Sequence, residues 1–288
     1  MILGVLSYVC WGFFPLYWKL LHRLPAFEIL AHRMIWSCVF YLLLFTVSSW
    51  QTGQLKSLFT QPLQTWLKTL LAAGVLAINW GIYIYAVNSG QIVEGSLAYF
   101  INPLFNVAVG VLFFKEKLSG ILRLALLFAL VGVLVQVIFA PKFPWIALTL
   151  ATSFCTYGVI KKTLRIAPDL SSAMEGLCGL LPALAIASVM RQQSELIVSG
   201  HEWAFLIGAG LVTGLPLFLF SHAAQKLPYS MMGMMQFIAP TLQFSVGVWV
   251  YGERLGWAGI ISFALIWVGA GCYFWNLLRK MAKPSPVL

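Results

Sequence analysis

Apolar residues dominate the chain in long runs that are separated by short polar segments. A helix that crosses the hydrocarbon core of a bilayer needs about 20 consecutive apolar residues. The chain offers ten runs of about this length, and we predict a transmembrane helix for each: residues 2–21, 33–50, 66–87, 93–114, 119–139, 143–161, 171–190, 203–224, 229–251 and 256–277. The pattern therefore predicts an all-α integral membrane protein with ten transmembrane helices and no soluble domain.

The composition excludes an ordinary soluble domain. Hydrophobic residues make up 61% of the 288-residue chain and charged residues only 9%, whereas soluble domains carry about 25% charged residues. The net charge of +10 comes from cations scattered in small groups between the apolar runs, which is typical of membrane proteins and not of nucleic-acid binding. The cysteines lie inside apolar runs without metal-ligand spacing. We therefore expect membrane lipid as a partner, and neither nucleic acid, metal nor cofactor.

The basic residues also predict the orientation of the chain. If the N-terminus is cytoplasmic, about twice as many of the 18 Lys and Arg residues fall on the cytoplasmic side as on the other. The positive-inside rule then places both termini in the cytoplasm. The exception is the first outer loop, where Lys19, Arg23 and Arg33 collect.

Two apolar runs share a proline at matching places in the two halves. Pro103 and Pro240 are each followed thirteen residues later by a glutamate, with a glycine at the same offset between them: Gly110 and Glu116, Gly247 and Glu253. A proline inside a helix removes one backbone hydrogen bond. Matching interruptions in two halves point to a transport site. We predict helix breaks and hinges at Pro103 and Pro240, and we interpret Glu116 and Glu253 as anchors at helix ends.

The repeat extends over the whole chain. The segment Ser7–Gly12 resembles Ser153–Gly158, and each half holds five predicted helices. An odd number of helices per half inserts the second copy upside down. We therefore predict two inverted five-helix repeats, residues 1–140 and 141–288, with a pseudo-two-fold axis in the membrane plane and a site near the midplane.

Several motifs together resemble a known family. The segments are Glu28–Ser37, Asn79-Trp80, Ala86–Asn88, Tyr99–Pro103 and Gln236–Thr241. They are similar to the RarD family of the drug/metabolite transporter superfamily, which is built from paired EamA domains. The resemblance implies a multi-pass carrier of ten helices in the bacterial inner membrane. It also implies a small-molecule substrate, in a superfamily that includes exporters of amino acids and other metabolites.

The second predicted helix begins with a cluster of charged residues. Glu28, His32 and Trp36 are spaced to share one helix face, with Arg33 beside them. They could form an ion pair at the membrane interface, where charges reach water cheaply. Together with the cations of the first outer loop, they could instead line an outer vestibule that attracts an anionic or carboxylate-bearing substrate. His32 is the most plausible proton acceptor near neutral pH.

Polar residues inside the third and fourth predicted helices mark a candidate substrate cavity. They are Asn79, Trp80 and Tyr83 on one helix and Tyr99, Asn102 and Asn106 on the next. An unsatisfied polar group in hydrocarbon costs several kcal/mol, so these residues need partners. Hydrogen bonds between helices would explain one or two of them. So many on adjacent helices favour a shared polar cavity.

The second half supplies fewer candidates. Gln236 lies 137 residues after Tyr99, the same offset that separates the two prolines, so the repeat places it across the axis from that tyrosine. Trp11 and Tyr157 are repeat mates that could wall the cavity or simply pack. We interpret Lys161 as an anchor at the cytoplasmic surface.

These features favour a secondary transporter over an enzyme. The sequence has no GxSxG or P-loop pattern. We expect an exporter of a small polar or amphipathic organic metabolite or drug that works by alternating access, with a midplane site at Pro103 and Pro240. The alternative is an intramembrane enzyme that modifies lipid with His32 as general base. A cavity at the prolines would support the carrier, and a lipid-facing groove at His32 would support the enzyme.

Overall fold

The computed structural model describes residues 1–52, 55–88, 92–139, 143, 145–193, 198–250 and 257–282. Every regular element in this part of the chain is helical, which confirms the predicted all-α class. Glu253 and the other residues of 251–256 lie outside the described residues, so the role expected for that glutamate stays a prediction. Twelve α-helices are described: α1 Ile2–Gly12, α2 Phe14–Trp18, α3 Ala26–Thr52, α4 Leu63–Asn88, α5 Ile92–Leu112, α6 Gly120–Ile138, α7 Trp145–Thr163, α8 Pro168–Gln193, α9 Gly200–Lys226, α10 Tyr229–Met235, α11 Ile238–Trp249 and α12 Trp257–Ala282.

The ten apolar runs fall on these helices, with two runs divided. The run 2–21 contains α1, α2 and a 3₁₀ turn at Lys19–Leu21, and the described part of the run 229–251 contains α10 and α11. The spans of four helices are long and apolar enough to cross a membrane: Ala26–Trp50, Leu63–Tyr83, Pro168–Gln192 and Gly200–Lys226. The chain is a helical multi-pass membrane protein. That all ten runs cross the bilayer stays a prediction.

The break expected at Pro103 is wrong, because α5 continues through this proline from Ile92 to Leu112. Only one hydrogen bond is lost there, and the remaining bonds of the helix carry the chain past it. The chain does break just before Pro240, between α10 and α11. Pro240 has no N–H to donate to the carbonyl of Gln236. That carbonyl instead accepts a hydrogen bond from the Ala239 N–H at 3.3 Å. This tighter turn ends one helix and starts the next.

A second break divides the first apolar run. Helix α1 ends at Gly12, and Pro15 stands in the first turn of α2. Pro15 lacks the N–H that would bond to the carbonyl of Trp11. That carbonyl accepts a hydrogen bond from Gln243 Nε2 on α11 at 3.0 Å. A side chain of the second broken helix therefore satisfies a backbone carbonyl at the break in the first.

The two halves of the chain pack in corresponding ways. Helix α1 packs against α9 as α7 packs against α4, and α3 packs against α9 as α8 packs against α4. Glycines allow the close approaches. A Cβ on Gly12 would lie 2.5 Å from Leu242 Cβ, and a Cβ on Gly158, its repeat mate, would collide with the Tyr229 hydroxyl. The shared motif thus has the same packing role in both halves.

The surface is apolar and part of the interior is polar, as expected for a protein that contacts lipid. Trp50, Phe59 and Leu181 are each at least 76% exposed. By contrast, several charged and amide side chains are buried, among them Arg33, Asn102, Asn106, Lys161, Glu175 and Gln236. Because polar groups inside a membrane are costly, such residues mark functional sites or internal networks.

Candidate substrate-binding cavity

A cavity of about 80 Å³ lies among helices of both halves, close to Pro103 and Pro240. Its polar lining consists of Arg33, Asn79, Tyr83, Tyr99, Asn102, Thr213, Gln236 and Gln243. Its aromatic lining consists of Tyr8, Trp11, Phe14, Trp18, Trp80 and Phe154. Pockets for drug-sized ligands usually measure about 300–1,000 Å³. In this conformation the cavity therefore suits only a ligand of a few non-hydrogen atoms.

Arg33 supplies the positive charge of the cavity. It lies two turns inside α3, because this helix begins at Ala26 and not at Arg33 as the apolar run predicted. Its guanidinium carbon lies 4.4 Å from the Trp18 ring centroid and 4.7 Å from that of Trp80. Its Nε donates to Thr213 Oγ1 at 3.2 Å. Arg33 is therefore buried in the cavity and does not belong to an outer vestibule.

Aromatic rings close one side of the cavity. The Trp11 ring lies 5.3 Å from Tyr8 and 5.5 Å from Phe154, measured between ring centroids. Phe220 contacts all three of these rings and is fully buried. Tyr157 stacks on Phe220 at 6.2 Å. This packed layer separates the cavity from the end of the bundle where α7 ends and α8 begins.

Contacts that α2 and the loop before α3 make with the start of α9 close the opposite side. The Tyr17 hydroxyl donates to the carbonyl of Phe205 near the start of α9. Arg23 Nη1 lies 3.6 Å from Glu202 Oε1, and the arginine side chain is 63% exposed. The cavity is thus covered on both sides by contacts that could open separately.

Amide side chains occupy the wall formed by α4, α5 and the break before α11. Asn79 Nδ2 donates to the carbonyl of Leu150 at 2.8 Å, which ties α4 to α7. Asn106 Nδ2 donates to Gln236 Oε1 at 2.6 Å and joins the two halves. Asn102 Oδ1 is buried and has no hydrogen-bond partner among the described residues. That oxygen is available to a ligand.

The structure brings together most of the residues that the sequence singled out. Eight of them line the cavity: Trp11, Arg33, Asn79, Trp80, Tyr83, Tyr99, Asn102 and Gln236. Asn106 lies directly behind Gln236 through their hydrogen bond. Tyr8, Trp18 and Thr213 also line the cavity, although they were not predicted from the sequence. Tyr8 and Trp18 share the apolar run 2–21 with the candidate Trp11, whereas the run 203–224 that contains Thr213 carried no candidate.

His32 and Tyr157 do not line the cavity. His32 packs edge-on against Trp203 of α9, with ring centroids 5.2 Å apart. It shares a helix face with Trp36, whose backbone closely approaches Gly210, also on α9. Arg33 is the next residue and points elsewhere, because successive side chains on a helix diverge by about 100°. Tyr157 stacks on Phe220 behind the rings that line the cavity, and its hydroxyl lies 3.4 Å from Glu175 Oε2.

Lys161 is not a surface anchor, because it forms a buried ion pair. Its side chain is 1% exposed, and Nζ lies 2.9 Å from Glu175 Oε2 and 2.8 Å from Ser171 Oγ. The Glu175 side chain is 7% exposed. The sequence analysis overlooked Glu175, although a carboxylate inside the apolar run 171–190 was the signal to notice.

Glu116 has a more specific role than the expected anchor. Its carboxylate accepts from the backbone N–H groups of Tyr229 at 2.6 Å and Ser230 at 2.9 Å. These N–H groups open α10, whose preceding residue, Pro228, provides no side-chain cap. A Cβ at Gly110 would lie 2.9 Å from Glu116 Oε2. The glycine therefore leaves room for the carboxylate to cap a helix of the other half.

Comparisons with known proteins identify the family. The EamA-like transporter family matches the chain twice, over residues 1–138 and 143–275. The chain belongs to this family. A Streptomyces exfoliatus protein named RarD is 41% identical over 98% of this chain and 90% of its own length. The Escherichia coli K12 protein RarD is 36% identical over 99% of this chain and 96% of its own length. These relatives confirm the resemblance to the RarD family of the drug/metabolite transporter superfamily.

A further relative of this EamA-family transporter is also described as a transporter, and a solved structure shares its fold. A Bacillus subtilis protein described as the uncharacterized transporter YojE is 39% identical over 99% of this chain and 96% of its own length. A solved crystal structure superposes with a TM-score of 0.73 over 97% of this chain and 98% of that chain. At 20% identity that likeness shows the fold alone.

The lining gives the EamA-family cavity its chemical character. One guanidinium provides charge, several amides and hydroxyls provide hydrogen bonds, and aromatic rings provide flat apolar walls. Among the described residues, no group of three or more His, Cys, Asp or Glu could hold a metal ion. Such a lining can select a small polar molecule by charge and shape.

Proposed function

We propose that the protein is a secondary carrier that exports a small polar or amphipathic organic metabolite or drug by alternating access. The observation that most supports this function is the cavity of about 80 Å³, which residues of both halves line next to Pro103 and Pro240. Transporter sites are expected where repeats meet. Membership in a transporter family supports the same conclusion. We also propose that the residues lining this cavity bind the substrate.

We propose that the protein has ten transmembrane helices in two inverted repeats, residues 1–140 and 141–288. The two family matches fall one in each of these halves, which supports the division. The corresponding packing of α1 on α9 and α7 on α4 supports a relation between the halves. We place the protein in the bacterial inner membrane with both termini in the cytoplasm, because the Lys and Arg residues are concentrated on that side.

Alternating access would open the two covers of the cavity in turn. The contacts that α2 and the loop before α3 make with α9, including the Arg23–Glu202 pair, would separate on one side. On the other side the rings around Phe220 would separate. The broken helices α1–α2 and α10–α11 are the segments that could hinge, since their backbone bonds are already interrupted. Pro240 belongs to such a break. Pro103, inside a continuous helix, would act as a weak point at most.

The enzyme hypothesis with His32 has less support. His32 contacts Trp203 at the α3–α9 interface and does not reach the cavity. The cavity that Arg33 and the amide side chains line lies next to the two prolines, which is the location that favours a carrier.

Transport into reconstituted vesicles tests the proposal. Purified protein would be assayed with labelled amino acids, nucleotides and antibiotics, and we expect uptake of at least one class above protein-free vesicles. Asn102→Ala and Gln236→Ala should reduce that uptake about tenfold or more, because each removes a hydrogen-bonding group from the cavity. Gln64→Ala is the matched control, since this exposed glutamine lies at the start of α4. Full uptake by both cavity variants would refute the site.

A further inference from the structure

The charge of Arg33 is not neutralised within the described part of the protein. Arg33 is only 5% exposed, and no described carboxylate lies within 4.0 Å of it. Its recorded hydrogen bond uses Nε, and the four N–H bonds of its terminal amino groups are left for other acceptors. A buried charge is costly unless it is paired and hydrogen-bonded. The cavity therefore has a place for a negative charge.

Further unused donors line the same cavity. Trp18 Nε1 and the Tyr8 hydroxyl are buried and have no hydrogen-bond partner among the described residues. Trp18 is one of the two rings that sandwich the Arg33 guanidinium, so its N–H belongs to the surroundings of that charge. These groups donate hydrogen bonds, and an anion accepts them. The lining thus favours a ligand rich in acceptor atoms.

The same features disfavour a cationic ligand. An aromatic-walled cavity can attract a cation to its ring faces. Here Arg33 already stacks on Trp18 and Trp80, and a second cation would be repelled at short range in a medium of low polarity. No described Asp or Glu lines the cavity to offset that repulsion.

The number of charges and the available space narrow the class of anion. A single guanidinium balances one negative charge, and a dianion would leave an unpaired charge among the aromatic rings. The planar fork of arginine matches the two oxygens of a carboxylate. A volume of about 80 Å³ holds only a few non-hydrogen atoms. Asn102 Oδ1 could accept from a donor elsewhere on the same ligand.

We propose that the cavity binds a small organic monoanion through its carboxylate, with Arg33 as the charge anchor and Trp18 as an additional donor. This inference rests on the proposed function, because it names the substrate class of the same cavity. Arg33 is the residue that determines specificity. The inference differs from a charged outer vestibule, since the anion is bound in the buried cavity.

The test compares carboxylates with their neutral amides on the purified full-length protein in detergent. The pairs are acetate and acetamide, and propionate and propionamide, at constant ionic strength. Sulfate and phosphate form a separate arm for tetrahedral oxyanions. Thermal unfolding and direct binding of radiolabelled acetate and propionate are the readouts. We expect the carboxylates, but not the amides, to raise the unfolding temperature.

Variants of Arg33 then locate the site. Arg33→Gln should weaken carboxylate binding at least about tenfold, because it removes charge-assisted hydrogen bonds. Arg33→Lys keeps the charge without the fork and should give an intermediate loss. Arg123→Gln, at an exposed arginine on α6, is the matched control and should bind normally. If Arg33→Gln does not fold, the carboxylate–amide comparison on the unaltered protein decides the question.

Three results would overturn the inference. Equal stabilisation by an acid and its amide would show that charge is not recognised. Unchanged binding by folded Arg33→Gln would place the anion elsewhere, and stronger binding of sulfate or phosphate would exclude the carboxylate. The transport proposal fails separately: carboxylates would bind with the expected dependence on Arg33, while vesicles would show no flux of any tested compound.

Discussion

The buried ion pair between Lys161 and Glu175 yields the sharpest stability prediction. Replacing only one partner leaves the other charge buried among Tyr157 and the neighbouring helices. At the observed 2.9 Å, the attraction between unit charges is about 6 kcal/mol for an effective dielectric constant of about 20. Much of this offsets the cost of removing both ions from water. Breaking such a pair typically costs about 3–5 kcal/mol.

We expect the two single variants to differ. Glu175→Gln keeps an oxygen that can accept from Lys161 Nζ, which also retains its 2.8 Å contact with Ser171 Oγ. Glu175→Gln should therefore lower the free energy of unfolding by about 3 kcal/mol, the lower end of the range for a broken buried pair. Lys161→Met leaves the carboxylate with the Tyr157 hydroxyl at 3.4 Å, so its cost should be larger. The double variant should cost less than the sum, because no charge remains uncompensated.

Equilibrium unfolding of the four proteins in mixed micelles measures these free energies as a double-mutant cycle. The coupling energy should exceed about 2 kcal/mol. Arg23→Met is the control, since the Arg23 side chain is 63% exposed and its ion pair with Glu202 should contribute less than about 1 kcal/mol. The reasoning is refuted if the single variants cost no more than this control, or if the costs of the two replacements simply add.

Two further predictions concern packing and capping around α10. Glu116→Gln should destabilise the protein by about 1 kcal/mol, because the charge that two backbone N–H groups share is lost; unfolding in the same micelles checks it, and unchanged stability would contradict the capping role. Gly158→Ala should cost about 1–3 kcal/mol in that assay, because the added Cβ collides with the Tyr229 hydroxyl. Gly74→Ala should be neutral, because no described atom outside its own helix lies within 4 Å of the added Cβ. If Gly74→Ala and Gly158→Ala lowered the free energy of unfolding equally, the steric explanation would be wrong.

The cavity was predictable from sequence where polar groups stand inside apolar runs. Asn79, Tyr99 and Asn102 stood out because an amide or phenol in hydrocarbon needs a partner. Gln236 stood out through its repeat offset from Tyr99, and the structure gathers all four around one space. The same reasoning could not tell which of two adjacent polar residues faces the cavity. Arg33 faces the cavity and His32 faces Trp203, and only the packing of α3 determines which side each takes.

The helix breaks could not be predicted from prolines alone. Pro103, Pro182 and Pro216 all lie inside continuous helices, whereas the chain breaks near Pro15 and Pro240. At the breaks, the carbonyl that the proline leaves without its usual donor has another one: Ala239 N–H donates to Gln236 near Pro240. At Trp11 the donor is Gln243, which lies 232 residues away along the chain. Such a partner is set by tertiary packing, and local sequence does not reveal it.

The two halves use buried charge in different ways, and this difference bears on the function. In the first half, Arg33 on α3 lies in the cavity without a described carboxylate partner. In the second half, Glu175 lies on α8, the repeat counterpart of α3, and is neutralised by Lys161 beyond the aromatic layer. A charge paired inside the protein contributes to the fold, while an unpaired charge in a cavity favours a ligand of opposite sign. A scaffold with related halves thus holds an asymmetric site, in which a bound anion would have one preferred orientation.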